Sequence, residues 1–118
     1  MRLSATEAHQ HSATPRTRYA FLTLPDYSMI ALTNAIEPLR MANRVSGQGA
    51  YEWLVVSSDG EPVTASNGLM MTPTRRLADA PDVAMVFVCG GVNVREAVSP
   101  ALVNVLRRLA ARPMPLGA

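Results

Sequence analysis

The longest uninterrupted apolar run covers residues 83–89 (VAMVFVC) and stops at the glycine pair Gly90-Gly91. A run of this length, rich in β-branched residues, is typical of a strand that is buried on both faces of a parallel sheet. In open α/β sheets, ligands bind at the carboxyl ends of the central strands. Two interpretations of Gly90, Gly91, Val92 and Asn93 therefore stay open. They form either a ligand-binding turn or simply a tight turn into the next helix.

Alternating helix and strand patterns surround this strand. The residues predict strands over 18–24 and 51–58, with a hairpin over 62–65 and 69–72 whose turn contains Asn67-Gly68. Ser28 is placed to cap a helix that runs to about Val45, and Pro38 is expected to kink or divide it. Ser99-Pro100 predicts the start of a second long helix. The apolar stripe expected on the first helix comprises Met29, Leu32, Ile36, Leu39, Ala42 and Val45.

This order of elements predicts an α/β fold in which helices flank a parallel sheet. Residues 1–17 are polar and aperiodic, so we expect a disordered tail there and one α/β unit over residues 18–118. The pattern breaks off after the last helix, since residues 113–118 look like a loop before a new strand and no strand follows. We therefore expect the fold to be incomplete at the C-terminus, with one edge of strand 83–89 open and the chain prone to aggregation.

Charge and cysteine content exclude several classes of function. The net charge is only +2, and the arginines are scattered rather than clustered, so no specific DNA binding is expected. A single cysteine allows no internal disulfide and fits a reducing compartment. No apolar run reaches the length of a membrane span, and the first residues lack the apolar core of a signal peptide. We predict a cytoplasmic protein without membrane contact.

The remaining candidate sites have ordinary explanations. His9 and His11 form a His-x-His pair, but two histidines on a tail make a poor metal site, and none is predicted. Arg75-Arg76 is interpreted as a solvated loop pair rather than a phosphate grip. Glu37 is three residues before Arg40, a spacing that permits an ion pair on the helix surface.

The sequence as a set resembles a known family. The segments RYAFLTLPDYSMIALTNAIEPLRMANR, YEWLVVSSDGEPVTASNGLMM and LADAPDVAMVFVCGG are similar to the N-terminal domain of GlxA-type regulators in the AraC/XylS class. That domain resembles the ThiJ/PfpI superfamily, which is class I glutamine-amidotransferase-like and has a flavodoxin-like fold. The resemblance covers about residues 18–116.

The resemblance also implies which chemistry to expect. Enzymes of the superfamily use an acidic residue early in the first long helix and a cysteine on a strained turn after a later strand. Here the acidic position falls on Ala31, and the nucleophile segment would follow Leu116. Cys89 is at the end of the preceding strand and is interpreted as a core thiol. No catalytic residue and no cofactor is therefore predicted.

The resemblance implies a ligand-sensing half-domain of a GlxA-type regulator, without the C-terminal helix-turn-helix region. Its partner would be a small, often nitrogen-containing metabolite, and the full-length form would be a homodimer. Two alternatives remain at this point: a truncated PfpI-like hydrolase or hydratase, and a stand-alone dimerisation module.

Overall fold

A central parallel sheet organises the chain in the computed structural model, which describes residues 16–80, 82–91, 95, 99–111 and 116–117. Its strand order is β5-β2-β1-β6-β7, and each neighbouring pair runs parallel. A separate two-stranded antiparallel hairpin pairs β3 with β4. The elements are β1 (Thr17–Thr23), α1 (Met29–Ser46), β2 (Tyr51–Ser57), β3 (Val63–Thr64), β4 (Met70–Met71), β5 (Arg75–Arg76), a 3₁₀ turn (Leu77–Asp79), β6 (Met85–Cys89), α2 (Pro100–Ala110) and β7 (Leu116–Gly117).

The predicted elements are confirmed to within a few residues. Ser28 caps α1, where its side chain accepts a hydrogen bond from the amide of Ala31 at 3.3 Å. Ser99 plays the same part for α2, accepting from the amide of Leu102 at 3.1 Å. The glycine after α1, Gly47, takes the left-handed conformation (φ 71°) that ends helices.

The sheet separates two apolar clusters because successive side chains of a strand point to opposite faces. The face that carries α2 is aliphatic, and we call it the aliphatic face. The face that carries α1 is aromatic and sulfur-rich, and we call it the aromatic face. The buried residues of the aliphatic face are Ala20, Leu22, Leu24, Val56, Leu77, Val83, Val86 and Leu102, and those of the aromatic face are Phe21, Tyr27, Leu32 and Ala65.

The buried stripe of α1 is shorter than predicted. Leu32 is buried and Leu39 is half-buried, but Ala42 and Val45 are exposed. The reason is that the last turns of α1 attach to the sheet by a polar contact. The side chain of Asn43 donates to the carbonyl of Tyr51 at 2.9 Å and accepts from its amide at 3.1 Å.

Pro38 does not divide α1, which is a single helix over Met29–Ser46. A proline removes one amide donor from the helical ladder, and here the helix continues through that gap.

Two further predictions are wrong. Arg75-Arg76 is not a loop, because its backbone pairs with Val56 and Ser57 as the edge strand β5. The edge of β6 is not fully open, because Val86 and Phe87 pair with Leu116 and Gly117 of β7. The strands β5 and β7 are too short to show an alternating pattern in the sequence. Only their pairing with neighbouring strands identifies them as strands.

Several predictions concern residues outside the described part of the chain. They are the tail over residues 1–15, the His9 and His11 pair, and the Val92 and Asn93 half of the candidate turn. Arg16 and Thr17, which were assigned to the tail, are described, and β1 begins at Thr17.

Candidate functional site

The carboxyl ends of β1 and β6 meet in a network of backbone hydrogen bonds. The amide of Leu24 donates to the carbonyl of Cys89 at 3.1 Å, and the amide of Ser28 donates to that of Gly90 at 3.0 Å. Asp26, in the loop between β1 and α1, takes a left-handed conformation (φ 63°), which aspartate tolerates better than most residues. The loop that starts α1 is thereby attached to the turn after β6.

Gly91 is required by this packing. A side-chain carbon at Gly91 would overlap the carbonyl oxygen of Asp26 and lie 3.1 Å from the Cα of Tyr27. Tyr27 also forms isolated bridges with Gly91 and with Ala65 of the hairpin region. The missing side chain of Gly91 therefore makes room for the loop before α1, which is a structural reason for this glycine.

Tyr27 is the central side chain of this region. It is fully buried (0% exposed), and its hydroxyl has no hydrogen-bond partner among the described residues. Burial raises the pKa of Tyr27, and the charge of a Cys89 thiolate raises it further, so the phenol stays protonated at neutral pH. The Tyr27 hydroxyl is therefore a protonated hydrogen-bond donor without a partner among the described residues, beneath the carboxyl edge of the sheet.

Cys89 ends β6 on the aromatic face, where it is half-buried. Burial raises the pKa of its thiol from 9.0 to about 11. A nucleophilic cysteine needs a lowered pKa, because the thiolate is the reactive form. The interpretation of Cys89 as a core thiol is consistent with this environment.

Ala31, the position that the resemblance aligns with the catalytic acid, is exposed in the first turn of α1. No acidic residue occupies that first turn. Glu37 forms the predicted ion pair with Arg40, at 2.6 and 3.2 Å, on the exposed side of the helix. That contact lowers the pKa of Glu37, mainly through the hydrogen bond from Arg40.

A second candidate region is an apolar cleft of about 290 Å³ between α1 and the sheet. Phe21 and Phe87 stack in its floor with their ring centroids 5.3 Å apart, and Tyr19 lies 6.1 Å from Phe87. The lining residues are Tyr19, Phe21, Ala35, Leu39, Met85 and Phe87. The cleft can accept an apolar group, but its walls carry no charge to orient a polar ligand.

Among the described residues, neither the arginine pair nor the metal-ligating side chains define a further site. Arg76 is engaged by Asp79 at 2.9 Å, so its guanidinium already has an anionic partner. Within the described ranges, no group of three or more metal-ligating side chains comes together. Asn67 is a turn residue, since its side chain accepts from the amide of Leu69 at 3.0 Å.

Sequence reasoning missed Tyr27 and the cleft. Tyr27 is in a turn, outside any periodic segment. The one indication of its burial in the sequence is that an aromatic residue stands between Pro25-Asp26 and a helix cap. Nothing in the sequence distinguishes the aromatic side chains around the cleft from ordinary core residues, because a gap depends on how strands and helix pack.

The fold is that of the ThiJ/PfpI and DJ-1 proteins. The crystal structure of a ThiJ/PfpI family protein from Pseudomonas syringae superposes with a TM-score of 0.64 at 20% identity, covering 98% of this chain and 47% of that one. The crystal structure of an AraC family transcriptional regulator from Pseudomonas putida superposes with a TM-score of 0.72 at 28% identity, covering 85% of this chain and 62% of that one. The predicted flavodoxin-like fold class is confirmed.

The particular relatives are transcriptional regulators. The chain is 44% identical over 98 residues to the HTH-type transcriptional regulator GbdR of Pseudomonas aeruginosa. The aligned segment covers 83% of this chain and 27% of GbdR. It is 31% identical over 93 residues to the HTH-type transcriptional regulator GlxA of Rhizobium meliloti, covering 78% of this chain and 29% of GlxA. The resemblance to GlxA-type regulators with a ThiJ/PfpI-like domain is thereby confirmed.

No family model matches the chain. The chain spans less than a third of the length of the curated relatives it matches, 27% in the case of GbdR. In the part of the chain that the structure describes, no helix is both long and apolar enough to cross a membrane.

Proposed function

We propose that this chain is the effector-binding part of a GlxA-type transcriptional regulator, which binds a small nitrogen-containing metabolite without transforming it. The observation that carries the proposal is its similarity, over about four fifths of its length, to regulators such as GbdR. The fold alone would not suffice, because one α/β fold hosts many functions.

The side chains support binding rather than catalysis. Ala31 has no proton to exchange at the position where the related enzymes carry an acid. Cys89 remains a neutral thiol at pH 7, because burial raises its pKa to about 11.

We place the effector at the carboxyl edge of β1 and β6, beside Gly90 and Gly91, with Val92 and Asn93 as its continuation. Support comes from the general rule for open parallel sheets. Tyr27 packs directly against Gly91 at this edge, and its buried hydroxyl is without a hydrogen-bond partner among the described residues. The apolar cleft is the competing location, and its uncharged walls suit a polar metabolite less well.

A homodimer and a cytoplasmic location belong to the same proposal. Both follow from the kinship with transcriptional regulators, which act on DNA inside the cell. The chain itself is proposed to bind no specific DNA. That reading agrees with its small net charge of +2.

The test is a thermal-shift screen of the 118-residue chain against amino acids, amines and quaternary ammonium compounds. A ligand that binds the folded state raises the melting temperature in a concentration-dependent way. We expect at least one compound of this class to do so, and calorimetry then gives its affinity. A panel in which no compound shifts the melting temperature contradicts the proposed function.

Two variants locate the site. Gly90→Val places a branched side chain at the carboxyl edge and is expected to weaken binding about tenfold or more, through steric exclusion. Leu39→Trp fills the apolar cleft instead and should leave the affinity unchanged. The reverse result would move the site from the edge to the cleft.

A further inference from the structure

Among the described residues, the hydroxyl of Tyr27 is the one buried side-chain polar atom without a hydrogen-bond partner. The other buried hydroxyls are satisfied. That of Thr23 donates to the carbonyl of Val56 at 3.3 Å, and that of Ser57 donates to the carbonyl of Glu61 at 2.9 Å. Buried polar groups of native proteins are hydrogen-bonded with few exceptions, so this phenol requires an explanation.

The surroundings of the Tyr27 ring supply donors but no acceptor. Its buried neighbours on the aromatic face are Phe21, Leu32 and Ala65, whose side chains cannot accept a hydrogen bond. Cys89 packs against the same cluster. Burial raises the pKa of Cys89 to about 11 and that of Tyr27 above its usual value, so both groups keep their protons at pH 7. The group that this region lacks is therefore a hydrogen-bond acceptor.

The backbone donors of the loop that carries Tyr27 are already used. Over residues 24–28, each amide donates to a carbonyl of the fold at 2.8–3.1 Å, and Pro25 has no amide to offer. The loop also forms a backbone bridge with Gly91, at the edge where the effector is placed. A ligand at this edge therefore finds its free donor in a side chain, and the phenol of Tyr27 is such a donor.

The hairpin of β3 and β4 covers Tyr27, which is 0% exposed. The amide of Ser66 donates to the carbonyl of Tyr27 at 2.8 Å, and Ala65 is buried in the same cluster. Each strand of the hairpin has two residues, and Leu69 and Met70 at its tip are 58% and 64% exposed. A hairpin of this size is marginally stable by itself, so it is the part of the cover that can move aside.

We propose that the hydroxyl of Tyr27 donates a hydrogen bond to a carboxylate oxygen of the effector, which enters as the hairpin moves aside. The inference rests on the proposed function and names the residue and the ligand group that meet in its site. A hydrogen bond to an ionised acceptor is about twice as strong as one between neutral groups. Tyr27 thus determines specificity, since a site built to bond a polar group rejects analogues that lack it.

The same contact explains how binding changes the protein. The free protein buries an unsatisfied hydroxyl, and the complex satisfies it, so the ligand interacts differently with the closed and the opened hairpin. A ligand shifts a conformational equilibrium only through such a difference. The hairpin is accordingly the segment that reports occupancy of the site.

The first test is calorimetry of the full chain with the standard amino acids, each paired with the amine that lacks its carboxylate, such as methylamine for glycine. At least one amino acid should bind about tenfold or more tightly than its amine, and Tyr27→Phe should remove that preference by weakening the amino acid. Tyr51→Phe is the matched control. It makes the same chemical change at the first residue of β2, and both affinities should stay unchanged.

The second test observes the hydroxyl directly by NMR of protein labelled with ¹³C at the tyrosine Cζ atoms. The chain has three tyrosines, and the resonance that is missing from Tyr27→Phe belongs to Tyr27. That resonance should shift when the bound amino acid is added and stay in place with its amine. Circular dichroism checks that the variants are folded.

The outcomes separate this inference from the proposed function. An amino acid that binds Tyr27→Phe as tightly as the wild type overturns the inference, and so does a Tyr27 resonance that does not move at saturation. Binding confined to compounds without a carboxylate overturns the inference and leaves the proposed function standing. A panel in which no compound binds overturns both.

Discussion

The two faces of the sheet are built from the same strands but with different chemistry. On β1, Ala20 and Leu22 point to the aliphatic face, while Tyr19 and Phe21 point to the aromatic face. The aliphatic face is closed by Leu102 of α2 and Leu77 of the 3₁₀ turn. The aromatic face keeps a cleft of about 290 Å³ and a buried hydroxyl without a partner.

The comparison indicates that the groups suited to binding a ligand lie on one face of the sheet. Aliphatic side chains have no polar atoms, so the aliphatic face packs without leaving a hydrogen-bonding group to satisfy. The aromatic face adds large rings and a tyrosine hydroxyl that can donate a hydrogen bond. The features that suit a sensor therefore lie on the side of α1.

The largest expected effect is a contrast between two leucines. Leu22→Ala on the aliphatic face should lower the free energy of unfolding by about 3 kcal/mol, because it opens a cavity in a closed core. Leu39→Ala beside the cleft should cost about 1 kcal/mol, because Leu39 is only half-buried. Chemical denaturation measures both, and equal losses would contradict the contrast between the faces.

The next effect concerns the junction between β6 and α1. Gly91→Ala should destabilise the fold by about 2 kcal/mol, because its methyl group would overlap the carbonyl of Asp26. Gly49→Ala is the matched control, since its methyl group would meet only the flexible guanidinium of Arg16, at 3.2 Å. If thermal melting shows no difference between the two variants, the junction is looser than described.

Tyr27→Phe is expected to stabilise the protein, in contrast to the preceding variants. Removing a buried hydroxyl that makes no hydrogen bond should raise the free energy of unfolding by about 1 kcal/mol. The same variant should weaken effector binding if that hydroxyl donates to the ligand. A loss of stability would show that the hydroxyl already has a partner in the folded protein.

A smaller effect is expected from pH. The folded thiol of Cys89 has a pKa of about 11, against 9.0 when unperturbed, so the folded state binds more protons between these values. Stability is therefore present in full below about pH 9 and falls as the pH rises towards 11. Melting of Cys89→Ala over the same range should show a weaker decline. If stability falls with pH in Cys89→Ala as steeply as in the wild type, other groups cause the loss. The first of these to test is Tyr27, through Tyr27→Phe.

Much of the fold could be predicted from local signals. Pro25-Asp26 ended β1, Ser28 placed the start of α1, and Asn67-Gly68 marked the hairpin turn. The strands β5 and β7 escaped prediction, because two residues become a strand only through distant partners such as Val56 and Val86. The apolar stripe of α1 ends early because Asn43 hydrogen-bonds to Tyr51 of β2. A contact between a helix and a strand cannot be predicted from the periodicity of the helix.

The candidate site was predictable only in outline. Gly90-Gly91 could be placed at the end of a buried strand from its apolar run. Tyr27 could not be placed beneath it, because that contact depends on how the loop before α1 crosses the turn after β6. The cleft has no sequence signature, since it is a space left between α1 and two strands.

The central claim is that the chain binds a small metabolite and leaves it unchanged. The most direct measurement is a proton NMR time course of the chain with the best ligand from the thermal-shift screen, in excess over protein. The account predicts line broadening that reports binding and full recovery of the ligand spectrum after prolonged incubation, in the wild type and in Cys89→Ala alike. Steady conversion of the ligand that disappears in Cys89→Ala would contradict it and assign the chain to catalysis.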